Sequence, residues 1–264
     1  MNISKYILLI FFMSSTLAPL CAAGQRHMDS IRIPLTQRTK LGALVHLPDD
    51  YHNSGKKYPL ILCFHGKSKS GNDLQRLLID GVPYWIHNGQ KIQARNPADG
   101  KMYQFIVVAP QAPSWGLKPA ETETILNDLE KRYRIDRSRI YLTGYSAGGW
   151  AVVMAITEST AIASRIAAVV PMSVAAIDKK NLGQFNNVAR GNTHCWYIAG
   201  SKEARFMEDS RRYADSTNRY KADLAKMTII DDFGHHSWRT LYDPRTKPDG
   251  VHNIYEWMLQ YQRK

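Results

Sequence analysis

Residues 140–156 read IYLTGYSAGGWAVVMAI. The first four are apolar or β-branched and make a buried strand, while the run from Trp150 to Ile156 has helical character. Between them Gly144-Tyr145-Ser146-Ala147-Gly148 must turn the chain sharply. Such a turn holds its serine in a strained backbone conformation and lifts the hydroxyl clear of the sheet. Side chains at positions 144 and 148 would collide across it. The helix beginning at Ser146 also aims free backbone N–H groups at the same point. A G-x-S-x-G alone recurs by chance in about one chain in ten of this length. The strand ahead and the helix behind therefore carry the reading of Ser146 as a nucleophile, against that of an idle serine at a glycine-rich helix start.

Working outward, apolar runs of strand length recur at 58–64 (YPLILCF), 105–109 (FIVVA), 166–170 (IAAVV), 195–199 (CWYIA) and 227–230 (MTII). Near-continuous apolar runs suit strands buried on both faces. Two shorter extended segments, 31–35 and 41–47, precede them. Between strands, 119–134 places Ile125, Leu126, Leu129 and Tyr133 on one helical face. Glu121 and Glu123 sit in its first turn and Lys131, Arg132 and Arg134 in its last, as the helix dipole favours. A final helix spans 253–262. Strands alternating with helices predict a mostly parallel central sheet covered on both faces. With no repeat, linker or low-complexity tract, residues 24–264 are expected to form one domain.

A serine hydroxyl needs an adjacent base. After the last strand comes Phe233-Gly234-His235-His236-Ser237-Trp238. Gly234 permits a tight turn that brings His235 to the C-terminal edge of the sheet, where ligands bind in open α/β sheets. His236 is the competing base, and His252 reads as a cap or surface residue. The acid that orients the imidazole is assigned to Glu203, the first carboxylate after the strand at 195–199. Asp178, after the preceding strand, is the rival; Asp209 and Asp232 are weaker alternatives. A tetrahedral intermediate needs two fixed donors at its oxygen. The backbone N–H groups of Ala147 and Lys67 are the candidates, with Gly66 allowing close approach and His65 pinning the loop. Trp115, Trp150 and Trp238 are candidate walls of the site.

The N-terminus carries Lys5, an apolar stretch from Tyr6 to Met13, then small residues ending Cys21-Ala22-Ala23-Gly24. That is the pattern of an export signal over 1–23, followed by a secreted or periplasmic protein. An uncleaved anchor or a lipid on Cys21 are the alternatives; the apolar stretch is short for a span. Membrane association is expected only through an uncleaved signal. The 264 residues carry 35 Lys and Arg against 23 Asp and Glu, a net charge of +12. The basic residues are scattered and match no nucleic-acid motif, so no nucleic-acid partner is expected. Cys63 and Cys195 lie in apolar runs and read as buried thiols. No CxxC pair points to metal or redox work, and no cofactor or metal is expected. The oligomeric state is not legible.

Taken together, YPLILCFHG (58–66), VVAPQ (107–111), RIDRSRIYLTGYSAGG (134–149) and GHHSW (234–238) resemble the esterase branch of the α/β-hydrolases. That branch includes poly(3-hydroxybutyrate) depolymerase-like, feruloyl and acetylxylan esterases and dienelactone hydrolase-like proteins. The resemblance implies an α/β-hydrolase fold and a serine carboxylic-ester hydrolase working through an acyl-enzyme. In such esterases the stretch after the seventh strand is usually His-Gly-x-x-Asp. Here it is Ala199-Gly200-Ser201-Lys202-Glu203, a departure at the acid itself. About 20 residues (173–192) separate the sixth and seventh strands, too few for a lid domain. An open site suits small-molecule, bulky or polysaccharide-linked esters. A prolyl-oligopeptidase-type peptidase and a non-catalytic binding protein of the same fold are the other readings.

Overall fold

Tyr58–Phe64 is buried at every position, and its side chains alternate between two cores. Tyr58, Leu60, Leu62 and Phe64 point into one cluster, Ile61 and Cys63 into the other. A strand apolar on both faces must be covered on both. This computed structural model describes residues 27–236 and 238–263. The expected export signal, residues 1–23, lies outside them.

The strands are β1 (Asp29–Pro34), β2 (Lys40–His46), β3 (Tyr58–Phe64), β4 (Gln93–Arg95), β5 (Met102–Gln104), β6 (Ile106–Pro110), β7 (Ile135–Tyr145), β8 (Ala168–Met172), β9 (His194–Gly200) and β10 (Ala225–Ile230). The α-helices are α1 (Gly81–His87), α2 (Pro119–Arg132), α3 (Ala147–Glu158), α4 (Thr160–Ala163), α5 (Lys179–Leu182), α6 (Phe185–Gly191), α7 (Ala204–Tyr220), α8 (Trp238–Leu241) and α9 (Ile254–Leu259). Eight strands form the central sheet in the order β1-β2-β6-β3-β7-β8-β9-β10. It is parallel from β6 to β10, with β1 and β2 antiparallel at one edge. Residues of α2, α3, α6 and α7 fill the core on one face; α1, α8 and α9 supply the other. This is the α/β-hydrolase fold, without a lid domain among the described residues: the segment between β8 and β9 holds α5 and α6, and α6 packs Phe185 and Val188 into the main core.

The elements depart from the expected bounds in instructive places. β7 begins at Ile135, because Tyr58 pairs with Ile135 across a bulge before the ladder resumes at Leu60 and Ile140. That outer part carries Asp136, Arg137 and Ser138, too polar to read as strand. The helix expected to reach 134 stops at Arg132, where Tyr133 turns extended. The last helix is shorter than expected, with Asn253 capping Ile254–Leu259. The β4–β5 ribbon leaves no strand signal in the sequence, because three residues per strand are too few to show an alternation. Among the described residues no helix is long and apolar enough to cross a membrane.

Candidate active site

Ser146 stands between the end of β7 and the start of α3 with φ 55° and ψ −116°. This positive φ is uncommon for a residue with a side chain and stores strain. Surrounding bonds hold it there: its N–H donates to the Met172 carbonyl (3.0 Å), and its carbonyl accepts from Trp150 N–H (2.9 Å). The two flanking glycines are required by contact. A Cβ on Gly144 would lie 2.6 Å from the Gly148 carbonyl carbon, and one on Gly148 would overlap the Phe64 carbonyl at the end of β3.

The loop after β10 carries His235 to this hydroxyl. His235 Nε2 lies 3.0 Å from Ser146 Oγ, and Nδ1 lies 2.7 Å from Glu203 Oε2. An ionised carboxylate only accepts, so Nδ1–H donates to Glu203 and Nε2 is free to accept the serine proton. Glu203 caps α7, and its side chain is 2% exposed. Its second oxygen accepts from Ser173 Oγ–H (2.9 Å) and from Gly200 N–H (3.3 Å). Ser173 Oγ accepts in turn from Trp238 Nε1–H (3.0 Å). The imidazole is packed between Phe206, stacked at 4.1 Å and 17°, and the edge of Trp238 at 4.5 Å and 85°.

The rival residues lie elsewhere. Asp178 is exposed at the start of the four-residue α5. Asp209 pairs with Arg212 (2.7 Å), and Asp232 with Lys202 (2.9 Å). His236 is exposed on the rim and His252 pairs with Asp249 (3.4 Å). Buried His65 donates from Nδ1 to the Gly66 carbonyl (2.8 Å) and accepts Ala112 N–H at Nε2 (2.8 Å). Burial lowers its pKa, so it remains a neutral pin on the loop. Ser173, whose hydroxyl accepts a hydrogen bond from Trp238 Nε1–H and donates one to Glu203, carries no recognisable signal in the sequence beyond its place directly after β8.

Lys67 follows β3 and opens a short 3-10 turn, while Ala147 opens α3. The first N–H groups of a helix have no acceptor within it. Neither the Lys67 nor the Ala147 N–H donates to a described residue; Ala147 follows Ser146 directly, and Lys67 lines the same cleft as Ser146. A cleft of about 510 Å³ opens over Gly66, Lys67, Trp115, Ser146, His235 and Trp238. A second, of about 270 Å³, reaches Ser146 from the side of Ala175 and Phe206. Trp115 borders both and Trp238 the first. Trp150 does not line either: it is 8% exposed and packs edge-on behind Trp115 (6.4 Å, 71°). The expectation that it walls the site is corrected, because a residue on the inner face of α3 meets the core first. Cys63 and Cys195 are buried free thiols, each pushed up to about 12 by burial. Among the described residues no group of three or more His, Cys, Asp or Glu is placed to hold a metal ion.

A serine at a strand-to-helix turn, facing a histidine on the last strand's loop, defines a serine hydrolase of the α/β-hydrolase class. The Esterase family, described as "Putative esterase", matches residues 36–185. The chain belongs to that family. A search of curated proteins returns no match. Among solved structures, a thermostable esterase is similar at TM-score 0.64 and 20% identity, over 90% of this chain; the chain spans 64% of that protein's length. A feruloyl esterase module from Clostridium thermocellum, complexed with sinapinate, is similar at TM-score 0.58 and 14% identity over 91% of this chain and 89% of its own. The acylaminoacyl peptidase of Pyrococcus horikoshii is similar at 0.55 and 14%, over 80% of this chain and 38% of its own.

Proposed function

We propose that the protein is an exported hydrolase of carboxylic esters that works through an acyl-enzyme on Ser146, with His235 as base and Glu203 as the acid that orients it. The supporting observation is the continuous hydrogen-bonded run from Ser146 Oγ through His235 to Glu203, opening on a cleft. Ser146 Oγ attacks the ester carbonyl carbon while His235 Nε2 takes its proton. The carbonyl oxygen becomes an oxyanion between the N–H groups of Ala147 and Lys67. His235 then gives the proton to the departing alcohol, leaving the acyl group on Ser146. Water enters, loses a proton to Nε2 and attacks; collapse of the second intermediate releases the acid and restores Ser146. Every atom and proton is supplied by substrate, water and these residues.

Two clefts meeting at Ser146, with no lid over them among the described residues, favour bulky or carbohydrate-linked esters, one part of the ester in each. A feruloyl esterase among the similar structures is consistent with that class. A peptidase reading draws on the acylaminoacyl peptidase, of which this chain spans 38%. A fluorophosphonate label read at Ser146, together with rates on aryl esters and on dipeptidyl amides, tests the proposal. Labelling with ester rates well above amide rates is expected. No label on folded protein would leave a binding protein, and faster amide cleavage would leave a peptidase.

A further inference from the structure

We infer that the ester taken by this site carries an anionic group, such as a carboxylate or sulfate, on its alcohol part, and that Lys67 and Arg76 receive it. This rests on Ser146 and His235 acting as proposed above. The larger cleft runs from His235 and His236 on one side to the 66–70 loop and Arg76 on the other. Its lining includes two permanent cations, Lys67 and Arg76, and no carboxylate.

Elsewhere on the surface Lys56, Lys91, Lys180, Lys202 and Arg212 each pair with an acid. Lys67 and Arg76 form no ion pair with any described residue. Both are exposed. The Lys67 ammonium lies 5.8 Å from the ring centre of Trp115, itself 38% exposed. Arg76 donates to the Ser70 carbonyl (3.0 Å) and the Ser68 carbonyl. Those bonds fix the guanidinium against the loop without using all five of its donors. Unpaired cations in a concave, partly apolar cleft concentrate the field on whatever enters it.

The smaller cleft differs: it is lined by one cation, Arg205, and by a carboxylate, Asp209, which pairs with Arg212. The anion is therefore assigned to the larger one. The leaving oxygen must lie where His235 Nε2 can protonate it. The larger cleft runs along that imidazole, so it takes the alcohol part.

The test compares 3-carboxyphenyl acetate and 3-sulfophenyl acetate, whose sulfonate stands for a sulfate, with neutral 3-carbamoylphenyl acetate, which has nearly the same shape. At low salt, kcat/KM for at least one anionic ester should exceed the neutral one by about tenfold, mostly through KM. That ratio should fall to within about threefold in 0.5 M NaCl. Lys67→Met should lower the anionic-to-neutral ratio about fivefold or more, and Lys67→Arg should restore it. Taking the ratio within one variant cancels any loss of turnover from a disturbed loop. An advantage for one anion alone identifies which chemistry the site takes. A ratio near one, or one indifferent to salt and to Lys67→Met, overturns the inference. If 4-nitrophenyl acetate is cleaved and Ser146 is labelled in those same preparations, only the charge inference has failed. If neither happens, the hydrolase reading has failed and this one with it.

Discussion

Ser146 sits at φ 55°, a conformation with a steric cost, and the bonds from Met172 and Trp150 hold it there. Because nucleophile and base act as a unit, Ser146→Ala should lower ester turnover by roughly 10⁴ to 10⁶-fold. His235→Ala should be nearly as damaging, while His236→Ala, on the rim, should be mild. Steady-state rates on one aryl ester check all three, and the reverse ranking of the two histidines would move the base by one residue. Glu203 is tested by changing charge at constant shape. Glu203→Gln should cost orders of magnitude in kcat, and Asp178→Asn less than about tenfold, since removing one member of a unit disables the whole. Ser173→Ala removes the hydroxyl that Glu203 Oε1 accepts from and strands Trp238 Nε1–H. Its kcat should fall about five- to thirtyfold, the equivalent of about 1–2 kcal/mol, with KM little changed. Equal losses in kcat and Tm-matched stability controls would reduce Ser173 to a packing residue.

Among the elements, the C-terminal segment after α9 is a strap across the sheet's lower edge. Tyr261 stacks on His194 at the start of β9 (3.8 Å, 14°). Arg263 donates to the carbonyls of Ala163, Ile166, Gly191 and Asn192. Arg263→Met leaves those carbonyls without their charged donor and should cost about 2–4 kcal/mol, read as a lower urea midpoint with an unchanged slope. Burial, and then the charges of Arg263 and Lys221, depress the His194 pKa to about 4. The native state thus keeps this imidazole neutral where the unfolded chain would bind a proton. Its stabilisation is complete above pH 6.5 and is lost as pH falls from there through about 4. His65, depressed by burial, acts in the same sense. Between pH 7 and 4.5 the wild type should lose about 1–3 kcal/mol more than His194→Gln. Parallel losses in urea titrations at both pH values would contradict the assignment.

For the whole molecule, the expected export signal makes a prediction of its own: expression with the native N-terminus should yield a chain beginning near Gly24 or Gln25. Intact mass showing a retained Met1, or a lipid on Cys21, would contradict it. Much of the architecture was legible from local sequence. A buried strand announces itself within six residues, and the strand–turn–helix at 140–156 within seventeen, because backbone preference and burial periodicity act over such windows. Hence the parallel sheet, the turn at Ser146 and the loop of His235 could all be read in advance. Polar elements escaped the same reading. In α7 the buried positions are Ser210, Tyr213, Ala214 and Thr217, a stripe too polar to mark its extent, and the three-residue strands of β4 and β5 are too short to show a period. The acid is the sharpest case. Glu203 and Asp178 each follow a neighbouring strand, and nothing local separates them. Tertiary structure does: β9 lies beside β10, so the loop of Glu203 meets that of His235, 32 residues away. Ser173 and Trp238, 65 residues apart, then close around the carboxylate. Sequence alone determined the strand–turn–helix that carries Ser146, because local rules suffice to form it. The tertiary structure decided which carboxylate reaches His235, because that depends on strand order and packing between residues with no local relation.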